Sequence, residues 1–147
     1  MAQKKALVAM SGGVDSSVAA YLTKNSGYIC KCATLRMWGD SSDSINDARH
    51  VATSLGMEFH VFDAETPFRS CVIDSFICAY ETGLTPNPCM ECNRYMKFGF
   101  LLDKALEMGC DLVVTGHYAR IRHDENTGRY LLFKAADKAK DQTYFLS

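Results

Sequence analysis

Ser11, Gly12, Gly13, Asp15, Ser16 and Ser17 crowd into seven positions directly after the apolar run Ala6-Leu7-Val8-Ala9-Met10. Glycines leave backbone N–H groups uncovered, serines add hydroxyl donors, and a helix opening there adds the positive end of its dipole. Those three features converge on a space the size of a phosphate. An ATPase-type loop closes with a Lys-Ser/Thr pair that reaches the β- and γ-phosphates, and no lysine follows here. A glycine turn that merely lets a strand and a helix pack closely is the competing reading.

The second reactive constellation is Gly83-Leu84-Thr85-Pro86-Asn87-Pro88-Cys89-Met90-Glu91-Cys92-Asn93. Its two prolines fix an extended approach, and Asn93 is expected to cap the helix that follows. Cys92 would then sit beside a helix N-terminus, where the dipole favours thiolate and lowers a thiol pKa, with Arg94 and Lys97 adding positive potential. Such a thiol can accept sulfur as a persulfide and attack an electrophilic carbon. Cys89 and Cys92 can equally be read as half of a zinc site or as inert loop thiols.

Alternating segments must position both constellations. Strands are expected at 5–10, 28–36, 58–63 and 111–115, and helices at 15–24, 44–55, 67–80 and 93–108. Gly27, Gly56 and Gly109 follow helices where a left-handed residue is wanted, and Ser44 and Thr66 are candidate N-caps. This order predicts an α/β fold with a doubly wound parallel sheet. Ligands bind such sheets beyond the carboxyl ends of the strands, where the glycine loop, Met37-Trp38 and Gly116-His117 all fall. Residues 120–122 and 130–133 flank Asp124-Glu125-Asn126-Thr127-Gly128, a β-hairpin signal. The stretch from Lys140 to Ser147 stops where a new helix begins to form.

Composition narrows the class. With 147 residues, 48% apolar content and a formal net charge of −1, the chain can bury a core and carries no overall field that draws nucleic acid. No apolar run approaches the roughly 20 residues of a membrane span, and the N-terminus has no signal-peptide core, so a cytoplasmic protein is expected. Seven cysteines, an odd number without a secretory signal, predict reduced thiols. Cys30 with Cys32, Cys71 with Cys78, and Cys110 read as packing residues.

The glycine loop resembles the PP-loop of the ATP pyrophosphatases, which implies release of pyrophosphate and transfer of AMP to a substrate oxygen. Joined to the Thr-Pro-Asn-Pro-Cys segment, it resembles the tRNA-specific 2-thiouridylases over essentially the whole chain. That resemblance implies ATP contacts at Ala9, Met10, Ser11, Gly12, Gly13, Val14, Asp15, Ser16, Met37 and Gly116. Asp15 would stand near a magnesium ion that bridges the phosphates. Asn87, Pro88 and Cys89 would face the target base, Lys140, Asp141 and Gln142 would contact tRNA, and Cys92 would be the catalytic thiol. Sulfur would come from a donor protein or from sulfide. Members with Asp at the position of Cys89 work through a persulfide, whereas the Cys-x-x-Cys form seen here implies a [4Fe–4S] cluster with Cys89 and Cys92 as ligands and a third cysteine beyond Ser147. Residues 1–147 would be the N-terminal PP-loop catalytic domain, incomplete for turnover without the family's downstream domains. An amidating synthetase and a non-catalytic nucleotide- or metal-binding module are the alternatives.

Overall fold

The computed structural model describes residues 3–39 and 42–146. The chain divides into two compact units, the first ending at Gly116 and the second beginning at His117.

The first unit is a parallel sheet of β1 (Lys5–Ala9), β2 (Ile29–Arg36), β3 (Glu58–Asp63) and β4 (Leu112–Val114), ordered β3-β2-β1-β4. A central strand covered on both faces needs a continuous apolar run, which explains why Ala6, Leu7 and Val8 are all fully buried. Alternation then sends neighbours to opposite layers. Val8 and Cys32 pack with Ala20 of α1 (Val14–Asn25) and with Ala48 and Ala52 of α2 (Ser42–Ser54). Leu7 and Ala33 pack with Leu101 and Ala105 of a later helix on the other face. Fully burying Leu7 or Val8 is worth about 1.5–3 kcal/mol each. Helices on both faces of a parallel sheet make the fold doubly wound, as expected.

Strand boundaries lie within a residue or two of the sequence expectation, and β3 matches it fully. Gly27, Gly56 and Gly109 have φ of +87°, +63° and +69°, the left-handed geometry predicted for them. Two proposed caps are corrected. Ser44 lies inside α2, and Thr66 lies inside α3 (Glu65–Phe68), where Asp63 instead accepts the Glu65 N–H at 3.2 Å. From α3 the backbone winds through a π-helical turn, Arg69–Ile73, into α4 (Asp74–Glu81) without leaving helical dihedrals.

The helix expected at 93–108 starts five residues earlier. It comprises α5 (Pro88–Glu91), a π-helical stretch Cys92–Phe100, and α6 (Leu101–Glu107). Asn87 is its N-cap, accepting the Cys89 N–H at 3.1 Å, and Pro88 occupies the first helical position. Asn93 is therefore not its N-cap; it lies buried within the π-helical stretch.

In the second unit β5 (Arg120–Asp124) and β6 (Arg129–Phe133) form an antiparallel hairpin. Its loop is fastened by Asp124, which accepts from Asn126 N–H and Thr127 Oγ1, and closes at Gly128 with φ +66°.

Candidate active site

The chain runs outward from β1 through β2 to β3, then crosses to place β4 on the other side of β1. That reversal opens a crevice beyond the carboxyl ends of β1 and β4. Two features fix the exit from β1. Met10 donates its N–H to the Ala33 carbonyl at 2.8 Å, and the buried Thr34 hydroxyl donates to the Met10 carbonyl at 2.8 Å. Sequence reasoning missed Thr34, since a β-branched residue in a strand carries no signal of such a role.

Beyond Met10 the loop is held by its own serines. Buried Ser16 donates its hydroxyl to the Gly13 carbonyl at 3.0 Å and accepts the Ser11 N–H at 3.2 Å, while Ser17 Oγ donates to the same carbonyl at 2.8 Å. Gly12 takes φ +81°, and a Cβ there would stand 2.6 Å from the Ser44 carbonyl oxygen in the first turn of α2. Gly116, after β4, approaches the start of α1 so closely that a Cβ would lie 2.8 Å from the Asp15 carbonyl carbon and the Ser16 nitrogen. The two glycines therefore do different work: Gly12 turns the loop against α2, and Gly116 closes the β4 side of the crevice.

Gly13 is the N-cap of α1 and has no side chain to cap it. A twelve-residue helix thus directs an N-terminus without a capping side chain toward the crevice, a ready anion site. Asp15 lies exposed in its first turn. Ala9 and Met10 pack into opposite layers at the strand end, and Val14 is exposed. A separate open cleft at the end of β3 is lined by Asp63, Glu65 and Asp74 with Arg69. Its carboxylates disfavour phosphate.

A third core cluster, Ala64, Val72 and Met96, receives Met37 from the loop after β2 and Cys92 from the start of the π-helical stretch. The structure therefore brings Met37 and Cys92 onto common ground. It also corrects the expectation for Cys92, which sits one turn inside the helix and is half-buried. Burial pushes its thiol up from the ordinary range, against the opposing pull of Lys97. Arg94 lies instead over the ring of Tyr95, 5.3 Å from its centre. Cys89, three residues earlier and one helical turn away, is exposed. All seven cysteines are free thiols. Among the described residues, no three His, Cys, Asp or Glu side chains form a group able to hold a metal ion.

Lys140, Asp141 and Gln142 belong to the second unit. Asp141 accepts the Ala135 N–H at 2.7 Å and Thr143 Oγ1 at 2.8 Å, and Gln142 Oε1 accepts the Tyr118 N–H at 2.9 Å. Both are fasteners. Lys140 is exposed, with its ammonium 5.1 Å from the centre of the Tyr118 ring.

Comparison with known proteins places this geometry. Residues 4–147 match the family model described as the tRNA methyl transferase HUP domain. The chain is 48% identical to the tRNA-specific 2-thiouridylase MnmA of Clostridioides difficile over 97% of its own length and 43% of that protein's. It is likewise 48% identical to the protein of that name from Chloroflexus aggregans, over 95% of this chain and 42% of the relative. The chain thus spans less than half the length of these curated relatives. Among solved structures, a predicted subunit of tRNA methyltransferase from Methanocaldococcus jannaschii superimposes with a TM-score of 0.54 at 20% identity, covering 86% of this chain and 57% of the other. The NH3-dependent NAD synthetase of Campylobacter jejuni gives 0.53 at 16% identity, covering 76% and 47%. These two likenesses establish the fold alone, a parallel α/β sheet with helices on both faces.

Proposed function

Because the chain belongs to the tRNA methyl transferase HUP domain family, we propose that it is the ATP-dependent activating portion of a cytoplasmic tRNA-specific 2-thiouridylase, which replaces the C2 oxygen of a wobble uridine with sulfur. The observation that carries this reading is the serine-fastened loop leading into the uncapped α1 at the crevice between β1 and β4.

In this reading the loop amides and the α1 dipole hold the phosphates of ATP, with Ala9 to Ser16, Met37 and Gly116 around the nucleotide. Asp15 fits a magnesium ion, because one carboxylate beside triphosphate oxygens and water is the donor set that ion takes. When bound, the ion would neutralise charge on the phosphates. Uridine O2 attacks the α-phosphorus and pyrophosphate leaves; the crevice contributes orientation and fixed donors. Asn87, Pro88 and Cys89 present the helix start to the base. A donor protein's persulfide passes its outer sulfur to the Cys92 thiolate and leaves as a thiol. The terminal sulfur on Cys92 then attacks the activated C2 and displaces AMP, and a second thiol attacks Cys92 Sγ, breaking the S–S bond to release 2-thiouridine and leave Cys92 in a disulfide. Two thiols on one helical turn are fewer ligands than a [4Fe–4S] cluster takes, and the described residues bring no third ligand beside them.

The test is an anaerobic assay of the complete protein carrying this chain, scored by 2-thiouridine in unmodified tRNA with ATP, a thiol reductant and a persulfide-bearing donor protein, with and without iron–sulfur reconstitution. Thiolation without reconstitution, abolished in Cys92→Ala, is expected. Thiolation only after reconstitution would replace the persulfide route with a cluster, and no thiolation under either condition would remove the reading.

A further inference from the structure

The hairpin of the second unit is exposed on both faces, so it packs as neither core nor sheet interior. Strand alternation and the observed register sort its side chains. Arg120, Arg122 and Asp124 share one face with Phe133, Leu131 and Arg129 from the partner strand, while Ile121 and His123 share the other with Leu132 and Tyr130. The first face therefore carries three guanidinium groups. Its single carboxylate, Asp124, is committed to Thr127 and Asn126 in the loop.

Local contacts hold two of these arginines in place. Arg120 Nε donates to the Lys134 carbonyl at 2.9 Å, and the Arg122 guanidinium lies 5.2 Å from the centre of the Phe133 ring. Arg120 and Arg122 are two residues apart, about 6.8 Å along a strand, which is the scale of the separation between successive phosphates in a nucleic acid strand. The Asp141 bond to Ala135, just past β6, anchors the segment bearing Lys140 at the same end of the hairpin. Within residues 117–147, six Lys and Arg stand against four Asp and Glu, although the whole chain has a net charge of −1. Positive charge is thus concentrated where the chain offers an arginine-bearing ribbon.

We propose that the face carrying Arg120, Arg122 and Arg129 is an RNA-backbone docking surface, which contacts phosphates of the folded RNA whose uridine the first unit activates. The inference rests on the function proposed above. It adds a surface separate from the residues that face the base and supplies affinity and register rather than base selection, as phosphate contacts do.

The experiment measures binding of unmodified tRNA to the complete protein across a series of salt concentrations, alongside ATP binding and thiolation. Replacing all three arginines by glutamine should lower the slope of log affinity against log salt by about three and weaken binding at least tenfold, with ATP affinity unchanged. Arg129→Gln alone, at the loop end, should lower that slope by about one, and the triple Arg→Lys variant should retain it; these two keep the test open if the glutamine variant misfolds. An unchanged slope in the Arg129→Gln and triple glutamine variants overturns the docking surface, and continued thiolation in the same samples leaves the proposed function standing. Wild-type protein that neither binds nor thiolates tRNA overturns both. Slopes lowered as expected in the variants, with wild-type protein that binds tRNA but fails to thiolate it, support the surface and remove only the proposed chemistry.

Discussion

The Thr34 hydroxyl donates to the Met10 carbonyl at 2.8 Å, tying the buried middle of β2 to the last residue before the glycine loop. The loop therefore springs from a fixed point. Its ordering does not depend on glycine turns and serine contacts alone.

Thr34→Val removes that donor and leaves a carbonyl unsatisfied in the core, which should cost about 1–3 kcal/mol of stability. Weaker ATP binding should accompany it, because the loop would lose its anchor. Thermal unfolding and nucleotide titration of the variant check both effects; unchanged ATP affinity in a destabilised variant would confine Thr34 to core packing.

Gly116→Ala places a methyl group 2.8 Å from the backbone at Asp15 and Ser16. Backbone cannot move aside as a side-chain tip can, so overpacking of about 1–3 kcal/mol and a displaced start of α1 are expected. ATP affinity should fall more than in a Gly109→Ala variant. At Gly109 a Cβ meets nothing within 4 Å, although the φ of +69° still strains it. Equal losses of affinity would show that the close approach at Gly116 has no bearing on the nucleotide.

Cys89 is exposed, whereas burial against Ala64, Val72 and Met96 raises the Cys92 thiol. Limited alkylation near neutral pH, read by peptide mass spectrometry, should therefore label Cys89 before Cys92. Faster labelling of Cys92 would mean that this helix start opens in solution.

The Cys92 environment also marks how far the sequence was legible. The strand run at Ala6 to Met10, the left-handed glycines and the loop itself were readable because each depends on local pattern. The helix start was misplaced by five residues because Asn93 looked like a cap, although Asn87 before Pro88 is the better signal: an N-cap followed by proline at the first helical position. Cys92's burial could not be read at all, since Ala64, Val72 and Met96 come from segments far apart in sequence. Thr34 was invisible for the same reason, its partner lying 24 residues away.

Asp141 is held below the usual carboxylate range, chiefly by the Ala135 N–H and then by the Thr143 hydroxyl. A depressed folded pKa means that this fastening is fully present above the ordinary carboxylate range and is lost as pH falls through the folded value. The Ala135 amide resonance should stay in place through that ordinary range and shift only at lower pH. Asp141→Asn should speed its hydrogen exchange at neutral pH. A midpoint within or above the ordinary range would contradict the fastening.

The proposed function stands most directly on which bond of ATP is broken. The decisive measurement separates the nucleotide products formed by the complete protein and a persulfide-bearing sulfur donor with unmodified tRNA, with tRNA already carrying 2-thiouridine, and with ammonia in place of tRNA. The account predicts AMP and pyrophosphate in equal amounts, dependent on the unmodified tRNA and sharply reduced with the thiolated one. ADP and phosphate as products, or pyrophosphate released with ammonia and no tRNA, would contradict it.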